Sequence, residues 1–163
     1  MTTLTIPTDS LELRSTYSCF PSGVIALCGE NGGTPTGMSV SSFTTISLEP
    51  ALVTVSVQKT STTWPQLRRL PRLGISVLAE DQGAVCRTLA GRGDRFQNID
   101  WRQTPQGAIF IEGAAAGFDC STVQEIEAGD HVIVLLEVQA FWADRSRQPL
   151  VFHHSDLRRL TAP

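Results

Sequence analysis

Apolar runs of strand length recur along this 163-residue chain, divided by Gly, Pro and Asn, and they do not alternate regularly with helical segments. A parallel sheet needs a long crossover, usually a helix, between successive strands, whereas antiparallel strands need only turns. The pattern predicts a mainly β fold, a barrel of antiparallel strands with a few short helices. The runs are Gly23–Cys28, Ala51–Val57, Leu73–Leu78, Ala108–Cys120, His131–Trp142 and Leu150–His153. Ala51–Val57 alternates Val with Thr and Ser, as a half-buried strand does. Glu30-Asn31-Gly32-Gly33 reads as a hairpin turn, because Asn and Gly accept positive φ. The small residues Gly113 to Gly117 within Ala108–Cys120 signal a bend, a bulge or the close approach of another chain. Three helices are expected: one capped by Asp9 or Ser10 and running to about Ser18, one over Ser61–Leu70 with Pro65 in its first turn, and one over Gln82–Ala90 ending at Gly91.

The length fits one domain, residues 1–163, able to bury a core without disulfide staples. The net charge is −3 and no stretch concentrates Lys or Arg, which argues against a nucleic-acid partner. No segment approaches the roughly 18 consecutive apolar residues of a membrane span. The start of the chain, Met1 to Glu12, lacks the basic and apolar regions of a signal peptide. The expected place is therefore the cytoplasm, away from membranes. Cys19, Cys28, Cys86 and Cys120 form no C-x-x-C pair and lie far in sequence from His131, His153 and His154. They are expected as free thiols, with no metal site.

A Rossmann dinucleotide site needs G-x-G-x-x-G between a strand and a helix. The only glycine cluster beside a strand is Gly29, Gly32 and Gly33, in the expected hairpin turn. A dinucleotide would have to bind here by another route. Four segments offer one. Thr36–Pro50 carries seven hydroxyl residues, suited to a phosphate or to the polar edge of a ring system, or equally to a plain polar loop. Val57–Thr63 follows a strand and opens a helix, where unpaired N–H groups, the partial positive charge and Lys59 favour phosphate; an ordinary cap has the same look. Ala90–Phe96 brings two glycines and two arginines to one loop, which solvent alone also accommodates. Gly129-Asp130-His131 enters the strongest strand, where an imidazole can orient a ligand or simply sit half buried.

Taken in order, these segments resemble the flavin reductase-like family with the FMN-binding split-barrel fold, the small reductase components of two-component flavin monooxygenases. The pieces are Pro21-Ser22-Gly23-Val24, the run Gly37–Pro50, Gly74–Gln82, Leu89-Ala90-Gly91 with Asp94-Arg95-Phe96, and Gly129-Asp130-His131, covering about Phe20 to Val151. The resemblance implies that Met38, Ser39, Val40, Ser41 and Ser42 contact flavin. It implies that Gln58, Lys59, Ser61 and Thr62 help hold its phosphate, with Val57 a further cofactor contact, and that Ala90, Arg95 and Phe96 close over the flavin. Gly129, Asp130 and His131 would lie on the nicotinamide side, with His131 the residue nearest the chemistry, and Phe152 and His153 would help bind the nicotinamide nucleotide. The chain departs from the family at its tail, which lacks the usual tyrosine; the only tyrosine is Tyr17.

The implied activity is hydride transfer from NADH or NADPH to FAD or FMN, with reduced flavin passed transiently to a partner monooxygenase. A homodimer is expected. A flavin carrier or sensor without reductase activity, and a split-barrel flavin oxidase of a small organic substrate, are the alternatives.

Overall fold

Val53, Val55 and Val57 are buried while the residues between them are only partly covered, as the alternation in the sequence requires of a strand with one wet face. The computed structural model describes residue 4 and residues 6–160. Helix α1 (Ser10–Tyr17) is capped by Asp9, whose carboxylate accepts the backbone N–H groups of Leu11 and Glu12. Then come β1 (Ser22–Gly23), β2 (Ile25–Asn31), β3 (Thr34–Val40), β4 (Thr44–Leu48), β5 (Ala51–Gln58), α2 (Trp64–Leu67), β6 (Leu73–Val77) and α3 (Gly83–Ala90). The second half adds β7 (Trp101–Gln103), β8 (Ile109–Ile111), β9 (Ala116–Ala128), β10 (His131–Ala143), β11 (Val151–His153) and β12 (Asp156–Arg158).

Seven strands form one antiparallel sheet in the order β3-β2-β6-β9-β10-β5-β4. Its main core draws Leu27 from β2, Met38 from β3, Val55 from β5, Ile75 from β6, Cys120 from β9 and Val134 from β10. Strands from β3 at one end of the sheet to β5 next to the other reach that one interior only if the sheet curls, and this is the split barrel the sequence predicts. Trp64 and Leu67 of α2 pack into the same interior. A second core lies on the outer face, where Ala26 and Cys28 of β2 meet Leu89 of α3 and Ile109 and Ile111 of β8. With both faces covered, β2 reads as a continuous apolar run instead of an alternating one.

The glycine turn forms as expected, with φ of +60° at Gly32 and +85° at Gly33 joining β2 to β3. Four expectations are corrected. Ala108–Cys120 is two strands, broken at Glu112–Ala115 by a turn with Gly113 at φ +74°. The second of them, β9, continues to Ala128 through a polar, half-exposed stretch whose composition hides it. The small residue Gly117 serves an internal approach, since a Cβ there would meet the Trp142 indole. The helix over Ser61–Leu70 shrinks to Trp64–Leu67, because the Ser61 hydroxyl accepts the N–H groups of Thr63 and Trp64 and holds the preceding residues in a turn. The hydroxyl-rich Gly37–Pro50 run is no loop: it holds the end of β3, a short crossover at Ser41–Phe43, and β4. Both are edge strands, where polar side chains are tolerated and mask the strand signal.

Candidate functional site

Ser42 stands where β3 has ended and β4 has not begun. Its Oγ accepts the Ser56 N–H at 2.9 Å and donates to the Ser56 carbonyl at 2.8 Å, so one side chain does the work of a ladder pair on β5. Beyond that junction β3 and β5 part and leave an open cavity of about 540 Å³. This is within the usual size range of small-molecule sites. Its walls come from the end of β3, the end of β5 and the turn that follows, the end of α3, and the start of β10. The structure brings Met38, Ser39, Val40, Ser41, Ser42, Val57, Gln58, Ser61, Thr62, Ala90, Arg95 and His131 to this one cavity. These predicted residues, up to 93 positions apart in sequence from Met38 to His131, converge on it because β10 lies beside β5, with His131 opposite Gln58.

Charge is sorted with equal clarity. No Asp or Glu lines the cavity, although the chain holds 16 of them; Arg14, Arg95, His131 and a set of hydroxyls do. Arg95 is fixed by one guanidinium nitrogen, which donates to Thr63 Oγ1 at 2.5 Å and to the Gly37 carbonyl at 3.3 Å. That clamp ties the Ala90–Phe96 loop to β3 and leaves the remaining donors of the fork for a ligand. At the other rim His131 Nδ1 lies 2.7 Å from Asp130 Oδ1. The hydrogen bond from His131, and then its charge, hold the Asp130 carboxyl below the usual carboxylate range. An ionised carboxylate only accepts, so Nδ1 is the donor of this bond and Nε2 is the ring nitrogen that the bond leaves over.

Other predicted residues lie elsewhere. Lys59 pairs with the Glu127 carboxylate, and its N–H donates to the Asp130 carbonyl at 3.0 Å. It braces the rim without lining the cavity. The turn residues Gly129 and Asp130 stand outside it as well, and they place His131. Phe96 lines an adjoining cavity of about 650 Å³ that shares Thr62, Thr63 and Arg95 with the first. Phe152 lines another of about 650 Å³ that shares Arg14, Ser41 and Ser42. His153 lines neither of these and packs against His154, with ring centroids 4.0 Å apart. The helix-dipole argument for Val57–Thr63 also weakens, since α2 has four residues and its first N–H groups are already met by Ser61. Sequence reasoning missed Arg14, Ser56, Thr60, Thr63 and Leu89 in the first cavity. Ser56 had a signal in the alternation of β5; Arg14 had none, lying on a separate helix far from every motif.

Residues 17–161 match the family model described as a flavin reductase like domain. Over 147 residues the chain is 34% identical to a flavin reductase of Pseudomonas putida, spanning 89% of this chain and 86% of that protein. It is 37% identical over 133 residues to the reductase component of the flavin-dependent trigonelline monooxygenase of Acinetobacter baylyi. That match spans 80% of this chain and 43% of the longer relative. Among solved structures, an NADH:FAD oxidoreductase of Streptomyces globisporus in complex with NAD and FAD fragments superposes with a TM-score of 0.91 at 34% identity, covering 98% of both chains.

Proposed function

The chain belongs to the flavin reductase-like family, and from that premise we propose that it transfers hydride from NADH or NADPH to FAD or FMN and supplies the reduced flavin to a partner monooxygenase. The observation that carries the reading is the carboxylate-free cavity between β3 and β5, in a fold shared with a relative solved with NAD and FAD fragments. Its residues fit a flavin. A phosphate needs donors and positive charge, which Arg95 and the Ser61 and Thr62 hydroxyls supply. The isoalloxazine needs an apolar face with polar groups at its edge, which Met38 and Val40 beside Ser39 and Ser41 supply.

When bound, the flavin supplies the hydride acceptor, and the protein supplies position and electrostatics. Arg95 and the hydroxyls hold the phosphate end of the cavity. Asp130 pins the His131 ring, whose Nε2 accepts from the nicotinamide carboxamide and sets the angle of approach. No residue of the cavity has to give or take a proton. We read residues 1–163 as one catalytic domain. The exposed Leu11, Leu48 and Phe141 support a homodimer. No helix among the described residues is long and apolar enough to cross a membrane, and the reading places the protein in the cytoplasm.

The test is to mix the protein with NADH or NADPH and FAD or FMN and follow nicotinamide absorbance. Flavin-dependent oxidation is expected. Flavin binding without nicotinamide oxidation would identify a carrier, and oxygen uptake driven by a small organic substrate on a copurified flavin would identify an oxidase.

A further inference from the structure

The first cavity adjoins a second one beneath α1, and the two share Arg14, Ser41 and Ser42. The second cavity, of about 650 Å³, is walled by the aromatic rings of Tyr17, Phe20, Phe43 and Phe152. No carboxylate lines it either. Tyr17 and Phe20 are 68% and 78% exposed, so their ring faces are open to a planar ligand. Helix α1 has no buried residue of its own. It is tied down where the Ser18 carbonyl accepts the His154 N–H at 2.8 Å, which fixes the helix end against the β11–β12 turn. Arg14, one turn earlier, forms no ion pair among the described residues.

We propose that Arg14 is the diphosphate-binding residue for the nicotinamide dinucleotide, and that the aromatic cavity beneath α1 seats its adenosine. The inference rests on the reductase reading and names the part of the site that the reading left open. The geometry follows from β5. His131 is opposite Gln58, and Ser56 is bonded to Ser42. Two residues of strand separate these points by roughly 7 Å. A nicotinamide held at His131 therefore leaves its diphosphate near Ser42, at the wall the two cavities share, where Arg14 is the cation both possess. A guanidinium fork suits a diphosphate by geometry as well as charge. Beyond it, a purine has aromatic faces to stack on.

The test compares wild type with Arg14→Gln and Arg14→Lys. Arg14 is exposed on the helix surface, and Gln and Lys are both good helix formers, so the variants fold. In steady state Arg14→Gln is expected to raise the NADH KM about tenfold, with kcat and the flavin KM within about twofold. The lysine variant should recover part of the loss, since it keeps the charge without the fork. Calorimetric titration with ADP-ribose, which lacks the nicotinamide, should show affinity falling by the same factor. Unchanged ADP-ribose affinity in Arg14→Gln overturns the proposal. So does a flavin KM that rises as much as the NADH KM, which would place Arg14 on the flavin. A wild type that oxidises no nicotinamide nucleotide with either flavin sinks the reductase reading instead, and the titration still decides the role of Arg14.

Discussion

His131 owes its usefulness to its neighbour. Asp130 is exposed and lies in a turn, so it adds little to stability, yet its carboxylate fixes which imidazole nitrogen faces the cavity. If that face orients nicotinamide, His131→Ala should raise the NADH KM or lower kcat about tenfold while flavin affinity changes by less than about twofold. Steady-state kinetics beside a flavin titration checks this; equal losses with a lowered Tm would show a merely structural histidine. Asp130→Asn keeps the size but loses the charge that commits Nδ1 to donating, so it should reproduce part of the His131→Ala effect without altering flavin binding. The pH range follows from sign. A carboxyl lowered in the folded state contributes above its ordinary pKa of about 3.9 and loses that contribution only as pH falls through the lowered value. The difference between wild type and Asp130→Asn should therefore shrink as pH falls through the lowered carboxyl value.

Elements close on one another most tightly where β6 passes β8. A Cβ on Gly74 would run into the backbone of Ile109, and no rotamer change relieves a backbone clash. Gly74→Ala should destabilise the protein by about 3 kcal/mol, read as a lower urea midpoint at an unchanged slope. Gly23→Ala, with open space around it, is the control and should stay within about 0.5 kcal/mol. Elements buried on one or two faces were legible in sequence, because burial writes an apolar pattern: β5, β6 and β10 all appear within a residue of their bounds, and β2 within three. The edge strands β3 and β4 did not appear as strands, since an edge facing solvent carries Ser and Thr as readily as a loop does. The cavity was legible for a different reason. Most of its residues fall in three short segments that a strand end or a turn presents together, and only the β5–β10 register was needed to bring His131 to them. Arg14 depends on how α1 folds back over the sheet, and nothing local in the sequence encodes that packing.

At the scale of the whole molecule, acid–base balance is unusually simple on the alkaline side. The sequence has one tyrosine, Tyr17, and one lysine, Lys59, and both are well exposed. Burial raises the thiols of Cys28, Cys86 and Cys120, and these couple folding to pH above neutrality. Burial pushes Cys28 up to about 12. It pushes Cys120 to about 12 as well, with the Asp119 charge raising it further and Arg72 drawing it back. The two thiols sit in different cores, Cys120 in the barrel interior and Cys28 in the outer layer, so neither layer can open without exposing one. An unfolded chain ionises them near the ordinary thiol value of 9.0, while the folded chain keeps them neutral. Between about pH 9 and 12 the folded state holds the more protons. Stability is therefore fully present below the ordinary value and declines as pH rises toward the raised one, by about 1.4 kcal/mol per pH unit for each thiol. Urea midpoints measured from pH 7 to 11 should be flat to about pH 8.5 and fall steeply beyond. Cys28→Ala should be less stable at pH 7, because it opens a small cavity, yet lose its stability more gradually above pH 9. An alkaline slope unchanged in Cys28→Ala and Cys120→Ala alike would show that these thiols do not set it.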